Sequence, residues 1–389
     1  MVVELDFNKK HTSPERCALQ QEFLAENDRF VHEIPKVELH VHIEGTLTAD
    51  LRWKIAQRNG TEVRLGEHTE VLHSLDELKK SYTTIASRNG VREPGAPENP
   101  VMFFQAYYEG FKNLITKEDF YDLAMDYFTT VAKMNVRYCE PFFDPQGHTS
   151  RGVKWETFMG GFREAQLKAE KELGLKSQWV MCILRDWSFE SAMEHYKAVR
   201  DYKYMVAGIG LDSNEYDRPA SIFEEIFQMA RNDGFKLTAH CDVNQKDTHE
   251  HIKEVASLLA TTGSERIDHG LNAAEKPELI QLIKEKGTGM TICPWAYLRH
   301  QPPSFIGERY RKLYDAGIPV TTASDDPGYM DNSFILHGML LAKRICHFTD
   351  ADIAQTCRHA VNMSWTDQAT KDALLKEIDE VYQKFYPQA

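Results

Sequence analysis

Two histidines alternate with apolar residues in segment 37–45 (VELHVHIEG). On a β-strand, side chains two residues apart project to the same face, so His40 and His42 could hold one metal ion between them. The alternative is a pair of hydrogen-bonded core histidines. A second H-x-H pair, His249 and His251, lies in a run that reads as a helix, where positions i and i+2 point about 200° apart. We do not expect that pair to chelate.

Further metal-type ligands follow other apolar, strand-like runs. His240 ends the fifth of these runs, His269 the sixth, and Asp325 with Asp326 the eighth. A single histidine at a strand end is more often structural, but several strand ends with such residues indicate one shared site. Imidazoles with a carboxylate suit Zn²⁺, with Fe²⁺ or Mn²⁺ as alternatives. Such a metal lowers the pKa of a bound water, so the pattern indicates metal-assisted hydrolysis.

The elements that must position these residues alternate between strands and helices. The first strand is predicted at 37–42, and seven more begin near Val136, Gln178, Tyr204, Phe235, Arg266, Thr288 and Ile318. Helical patterns such as 221–232, 250–262 and 276–286 occupy most of the gaps. Near-continuous apolar strands separated by helices predict a parallel sheet, and eight units predict a (β/α)8 TIM barrel. A doubly wound open sheet would need a Gly-rich phosphate turn, which the sequence lacks.

The chain divides into three predicted parts. Residues 1–34 form an N-terminal helical arm with a helix at 13–32, residues 35–348 the barrel, and residues 349–389 C-terminal helices packed on it. Helices are predicted at 47–58, 101–115 and 117–133. Segment 61–100 is too long for an ordinary loop, so it is either a disordered insertion or, as we favour, a lid.

Composition excludes several functions. The 389 residues carry a formal net charge of −13 and no basic run, which argues against a nucleic-acid partner. The seven cysteines are scattered and odd in number, which predicts reduced thiols. Neither a signal-peptide pattern nor a long apolar stretch is present, so we expect a cytoplasmic protein without a membrane partner. The sequence does not predict an oligomeric state.

Five motifs together resemble the adenosine/adenine deaminase family of the amidohydrolase superfamily, and its adenine deaminase branch more closely. These motifs are 35–47 (PKVELHVHIEGTL), 140–146 (EPFFDPQ), 210–215 (GLDSNE), 266–270 (RIDHG) and 324–327 (SDDP). The resemblance implies an amidohydrolase-type barrel and a hydrolytic deaminase of a 6-aminopurine or related heterocycle. In such an enzyme, hydroxide attacks the ring carbon and ammonia leaves, with adenine the first candidate substrate.

The resemblance also implies roles for single residues. One Zn²⁺ per chain would be held by the side chains of His40, His42, His240 and Asp325. His269 would orient the attacking hydroxide and shuttle its proton, and Asp326 would hydrogen-bond the purine imidazole edge. On the substrate side, Glu44 stands where nucleoside-using relatives more often have aspartate, and the loop with Asp212 and Ser213 looks like the adenine branch.

The sequence departs from the family pattern at two places. The family continues its fifth-strand histidine as His-Ala-Gly-Glu, whose glutamate protonates the ring nitrogen, whereas Val243 stands here. Either Asp242 supplies the proton, or the substrate differs, for example an N6-substituted adenine, a nucleoside or another heterocycle, or the protein binds metal but turns over poorly. After the seventh strand, 293–300 (CPWAYLRH) replaces the usual Cys-Pro-x-Ser-Asn. This indicates either repacking against the insertion or a reshaped pocket.

Overall fold

The computed structural model describes residues 5–87, 93 and 96–387. Within these residues the strands are β1 (Lys36–Glu38), β2 (Val136–Cys139), β3 (Phe142–Phe143), β4 (Lys176–Ser177), β5 (Trp179–Leu184), β6 (Val206–Asp212), β7 (Lys236–Cys241), β8 (Arg266–His269), β9 (Gly289–Ile292) and β10 (Val320–Thr322). The seven strands predicted after the first correspond to β2, β5, β6, β7, β8, β9 and β10, each of which begins within two residues of its predicted start.

The helices alternate with these strands after α6. They are α1 (Ser13–Glu26), α2 (Arg29–Glu33), α3 (Ala49–Asn59), α4 (Leu75–Tyr82), α5 (Phe103–Phe111), α6 (Lys117–Ala132), α7 (Pro145–Thr149), α8 (Trp155–Leu173), α9 (Phe189–Val199), α10 (Glu224–Asn232), α11 (Thr248–Ser257), α12 (Pro277–Lys286), α13 (Pro294–Leu298), α14 (Pro303–Asp315), α15 (Ile335–Ile345), α16 (Asp350–Met363) and α17 (Gln368–Phe385).

The strands form two parallel sheets, which together make up the eight strands of a barrel. The orders are β1-β2-β4 and β3-β5-β6-β7-β8-β9-β10. The pieces β2 and β3 make the second barrel strand, and β4 and β5 make the third. Parallel bridges join His42 to Phe142 and Val41 to Asp325, so the residues after β1 contact those after β10. This arrangement is the predicted (β/α)8 TIM barrel.

The first strand is shorter than predicted. It ends at Glu38, and only isolated bridges at Val41 and His42 continue it before a 3₁₀ turn at Glu44–Thr46. Beyond Glu38 the pairing continues only as single bridges, in which the His42 N–H bonds to the carbonyl of Asp325 and the Asp325 N–H to the carbonyl of His40, closing the barrel between the first and eighth strands. His40 and His42 therefore lie just beyond the strand rather than within it.

The predicted arm helix is in fact two helices. Asn27 adopts a left-handed conformation with φ 48° and ends α1, and the Asp28 side chain then caps α2 by accepting a bond from the Val31 N–H. Both helices bury apolar side chains such as Phe23 and Phe30 in the main core. The C-terminal run is likewise split, into α16 and α17, because Asp367 caps a new helix.

The insertion is partly helical. Leu78 of α4 packs with Val63 against Ala49 and Ala56 of α3, so this part is attached to the barrel. Residues 88–92, 94 and 95 lie outside the described residues, and the lid remains a prediction.

All seven cysteines are free, as predicted. Among the described residues, no helix has both the length and the apolar character needed to cross a membrane.

Candidate metal centre and active site

Four predicted site residues converge at the C-terminal mouth of the barrel. The side chains of His40, His240, His269 and Asp325 place possible ligand atoms within 4.8 Å of one another, and all four are buried. His40 Nε2 is 3.4 Å from Asp325 Oδ1. The barrel therefore brings residues from the first, fifth, sixth and eighth strand ends to one point.

His42 lies at the edge of the same cluster. Its Nε2 atom is 3.1 Å from Nε2 of His240 and 3.6 Å from Asp325 Oδ1. The two ring nitrogens facing each other at this distance suit two ligands of one cation, because each can offer a lone pair to it. His249 and His251, by contrast, lie on α11 and bond to different glutamates, Glu275 and Glu215.

Neighbouring groups orient the imidazoles. His240 Nδ1 donates to the carbonyl of Leu211 at 3.1 Å, so its Nε2 is the nitrogen left for a ligand bond. Burial lowers the pKa of His240 well below its usual value, which keeps the ring neutral as metal ligation requires. His40 Nδ1 contacts Thr291 Oγ1 at 2.9 Å, and Thr291 donates to Asp268.

The donor set fits a metal ion of the zinc type. Nε2 of His40 is buried and makes no hydrogen bond to any residue that the structure describes, although it faces the Asp325 carboxylate. A buried polar nitrogen aimed at other ligand-type atoms is what a coordination site leaves when the ion is removed. His40, His42, His240 and Asp325 supply the three imidazoles and one carboxylate that zinc sites use.

Two residues of the site adopt unusual backbone conformations. His269 and Asp325 both have φ of 67°, in the left-handed region that non-glycine residues rarely adopt. Such conformations persist where surrounding structure holds them, and they re-aim side chains at functional sites. His269 reaches the cluster from the last position of β8, and Asp325 from three residues after the end of β10.

Asp242 lies beside His269. Its Oδ1 atom is 3.3 Å from His269 Nε2, which is 3.8 Å from Asp325 Oδ2. The backbone N–H of Asp242 donates to Glu215 at 2.6 Å, and Nδ1 of His269 is 2.9 Å from the Tyr297 hydroxyl. Asp242, the residue predicted from sequence to replace the family glutamate, is thus held beside the candidate metal ligands.

The backbone of Gly45 packs closely against Asp326. A Cβ at Gly45 would come within 2.1 Å of Asp326 Oδ1 and 2.8 Å of its Cα, so only glycine fits there.

Two cavities of about 20 Å³ flank the cluster. The first is lined by Asp326, Asp212 and Ser213 from the predicted set, and the second by Asp242 and Val243 with His269. Glu44 lies behind the first cavity, where it accepts bonds from His148 and from the Asp144 backbone.

Sequence reasoning did not assign several cavity residues. Asp144 lies in the family-like motif 140–146, directly after the second barrel strand, and this position is the signal that marks it. The aromatic residues of α5, Phe103, Phe104, Tyr107 and Tyr108, also line the first cavity. Their helical spacing is also that of core residues, so it carried no functional signal.

Comparison with known proteins identifies relatives that extend over most of this chain. The family model described as adenosine deaminase matches residues 35–381. An uncharacterized deaminase of Schizosaccharomyces pombe is 37% identical over 90% of this chain and 97% of its own length. An adenine deaminase of Acinetobacter baylyi is 33% identical over 90% of this chain and 98% of its own length.

Solved structures give the same result. The adenine deaminase of Arthrobacter aurescens is 29% identical with a TM-score of 0.78, covering 90% of this chain and 99% of that one. An amidohydrolase of Burkholderia ambifaria with bound Zn is 26% identical with a TM-score of 0.76, covering 92% and 94%.

Barrel and site define a hydrolase of the amidohydrolase type. This chain belongs to the adenosine deaminase family, as its motifs predict, and is a hydrolytic deaminase acting on C–N bonds.

Proposed function

We propose that this protein is a zinc-dependent deaminase of a free 6-aminopurine, with adenine the first candidate. The observation that carries the proposal is the cluster of His40, His240, His269 and Asp325, with His42 3.1 Å from His240 and 3.6 Å from Asp325. Asp242 and Asp326, two further polar groups suited to the reaction, lie beside it. The names of the Acinetobacter and Arthrobacter relatives, both adenine deaminases, support the choice of base.

Each residue has a proposed task. His40, His42, His240 and Asp325 would hold the zinc ion, which when bound lowers the pKa of water and so supplies a nucleophile near pH 7. Nε2 of His269, near both Asp325 and Asp242, would take up and pass on the proton of the attacking water.

The remaining carboxyls would act on the base. Asp242 would deliver a proton to the ring nitrogen beside the attacked carbon, where charge develops. Asp326, which lines the first cavity, would accept a hydrogen bond from the imidazole edge of the purine. Glu44 is held behind the first cavity by His148 and does not line it, so the choice of a free base rests on the adenine deaminase relatives.

A second candidate is an N6-substituted adenine that releases an amine. The cavity beside Asp242 is lined in part by Val243, Ala296 and Met330, and these apolar side chains suit an alkyl group on the departing amine.

The test is a panel of adenine, adenosine, AMP, N6-substituted adenines, other aminopurines and pterins, followed by release of ammonia or amine. We expect adenine to be turned over most efficiently, and about one zinc per chain by elemental analysis. His240→Ala should lose both metal and activity, whereas His249→Ala, which removes a histidine outside the site, should lose neither.

More efficient turnover of adenosine or AMP than of any free base would contradict the choice of substrate. Metal content that is indifferent to His240→Ala would contradict the site itself. If the metal-loaded protein releases neither ammonia nor amine from any compound in the panel, it would be a binding protein instead of an enzyme.

A further inference from the structure

One departure of this sequence from the family pattern reaches into the site. Where the pattern has Cys-Pro-x-Ser-Asn after the seventh strand, this chain has Ala296 and Tyr297 at the last two positions. Both residues belong to the short helix α13, which begins two residues after β9. Because β9 pairs in parallel with β8, a long side chain on α13 can reach His269 at the end of β8.

The Tyr297 side chain makes this contact. Its hydroxyl is 2.9 Å from Nδ1 of His269, and the two rings lie with their centroids 5.5 Å apart. Both residues are at most 2% exposed. The other nitrogen of the imidazole, Nε2, faces Asp242 at 3.3 Å and Asp325 at 3.8 Å. Tyr297 therefore contacts the side of the ring that is turned away from the proposed chemistry.

The same stretch also contacts the insertion, but through a different residue. Arg299 donates from its guanidinium to the carbonyl of Ile85 at 3.0 Å. Tyr297, by contrast, lines the second cavity together with Asp242 and Val243. Packing against the insertion therefore accounts for Arg299, whereas the hydroxyl of Tyr297 has its partner in the site.

A tyrosine hydroxyl is suited to hold an imidazole in one orientation. It accepts a bond when Nδ1 carries a proton and donates one when Nδ1 does not, so the contact is kept in both tautomers of the ring. Half a turn of the His269 ring about its Cβ–Cγ bond would put a carbon in place of Nδ1, and the bond would be lost. The contact therefore favours the orientation in which Nε2 faces Asp325.

We propose that Tyr297 is a positioning residue of this enzyme, whose hydroxyl holds the His269 ring with Nε2 towards Asp325 and Asp242. The inference rests on the proposed function, in which His269 handles the proton of the attacking water. Since Tyr297 acts through His269, its loss should slow the chemical step while substrate binding and zinc content stay unchanged.

The test is Tyr297→Phe, which removes the hydroxyl and keeps the ring. In the zinc-loaded protein we expect kcat for adenine to fall by about 10- to 100-fold, the effect typical of losing the hydrogen-bond partner of a functional imidazole. KM should stay within about 2-fold of the wild-type value, because binding contacts are kept. Steady-state kinetics and elemental analysis for zinc measure these quantities.

The matched control is Tyr310→Phe. Tyr310 is fully buried on α14, and its hydroxyl is bonded to Oγ1 of Thr322 at the same distance of 2.9 Å. Both variants lose one buried hydrogen bond, so both should lower the midpoint of thermal unfolding by a similar amount. Only Tyr297→Phe should lower kcat, which separates an effect on His269 from a general loss of stability.

A second measurement reports on the contact without turnover. In zinc-loaded protein with ¹⁵N-labelled histidine, the NMR signals of His269 are identified by their loss in His269→Gln. Tyr297→Phe should shift the Nδ1 signal of His269, because this nitrogen loses its hydrogen-bond partner. Tyr310→Phe should leave the signal where it is.

A normal kcat for Tyr297→Phe, or an equal loss of kcat in both variants, would overturn the positioning role. Loss of zinc, an effect confined to KM, or an unshifted Nδ1 signal would overturn it as well. If the wild type deaminates no compound of the panel but the signal shifts in Tyr297→Phe, the proposed function fails and the support of His269 by Tyr297 stands.

Discussion

At the scale of single residues, Asp242 is the group on which proton delivery depends. Its backbone is held through the bond from its N–H to Glu215, while its carboxyl is 3.3 Å from His269 Nε2. Position and side chain are thus set by different contacts, so the side chain can be changed without moving the loop.

Asp242→Asn should lower kcat and kcat/KM together by about 100-fold or more, because the ring nitrogen loses its proton donor while binding is kept. Steady-state kinetics and zinc analysis measure this. Asp247→Asn, which removes an exposed carboxyl five residues further on, is the control and should behave as wild type.

A near-normal kcat for Asp242→Asn would show that the proton comes from elsewhere. In that case Val243→Glu, which restores the family residue, should raise adenine turnover if the departure marks a change of substrate.

At the scale of elements, α1 is joined by ion pairs to the loop that follows Asp326. Arg16 of α1 is 1% exposed, and its guanidinium lies 2.6 Å from Asp331 and 2.8 Å from Glu93. Asp331 follows Asp326 by five residues and also accepts a bond from the Trp295 indole. The N-terminal arm therefore stabilises the loop that carries a proposed substrate contact, and is more than an appendage.

Arg16→Met should destabilise the protein by about 3–5 kcal/mol, because it removes the guanidinium that is paired directly with two buried carboxylates. Urea unfolding, followed by fluorescence, measures the change. Adding Asp331→Asn should recover part of the loss, which a simple packing defect would not allow.

The control for this prediction is Arg29→Met. Arg29 forms an exposed ion pair with Glu33, so we expect a change of no more than about 0.5 kcal/mol. A similar loss for both arginines would contradict a special role for α1.

At the scale of the whole molecule, the two ends of the barrel differ in kind. The C-terminal mouth collects the site, whereas the opposite end buries Lys36 at the start of β1. Its ammonium donates to the carbonyl of Ile34 at 2.9 Å, and burial lowers its pKa from 10.5 to about 8. Charging this group in the folded state is therefore unfavourable.

Lys36→Met should be more stable than wild type at pH 7 by up to about 3 kcal/mol, reduced by the lost hydrogen bond. Between pH 8 and 10.5 the unfolded lysine holds its proton while the folded one has lost it, so wild-type stability rises with pH and the difference shrinks. Urea unfolding at pH 7 and 9.5 measures this. Lys10→Met, at an exposed lysine, should show no such convergence.

The sequence predicts those parts of the site that depend on neighbouring residues in the chain, and it does not predict those that depend on contacts between distant residues. Strand positions follow from runs of apolar residues, and His40, His240 and Asp325 were visible because a barrel collects its strand ends at one mouth. Asp144 and Tyr107 could not be selected in the same way. Their 2.9 Å contact joins positions 37 residues apart, and each alone has the pattern of an ordinary core or loop residue.

The fold class, the family and the candidate metal ligands are predictable from residue type, period and spacing along the chain. Which carboxyls face one another is set only when the chain folds. The left-handed turns at His269 and Asp325, the bridge from Val41 to Asp325 and the burial of Asp144 beside Asp212 depend on contacts between distant segments. Such contacts set the dielectric and the distances on which charge interactions depend, and these quantities do not exist until the chain is folded.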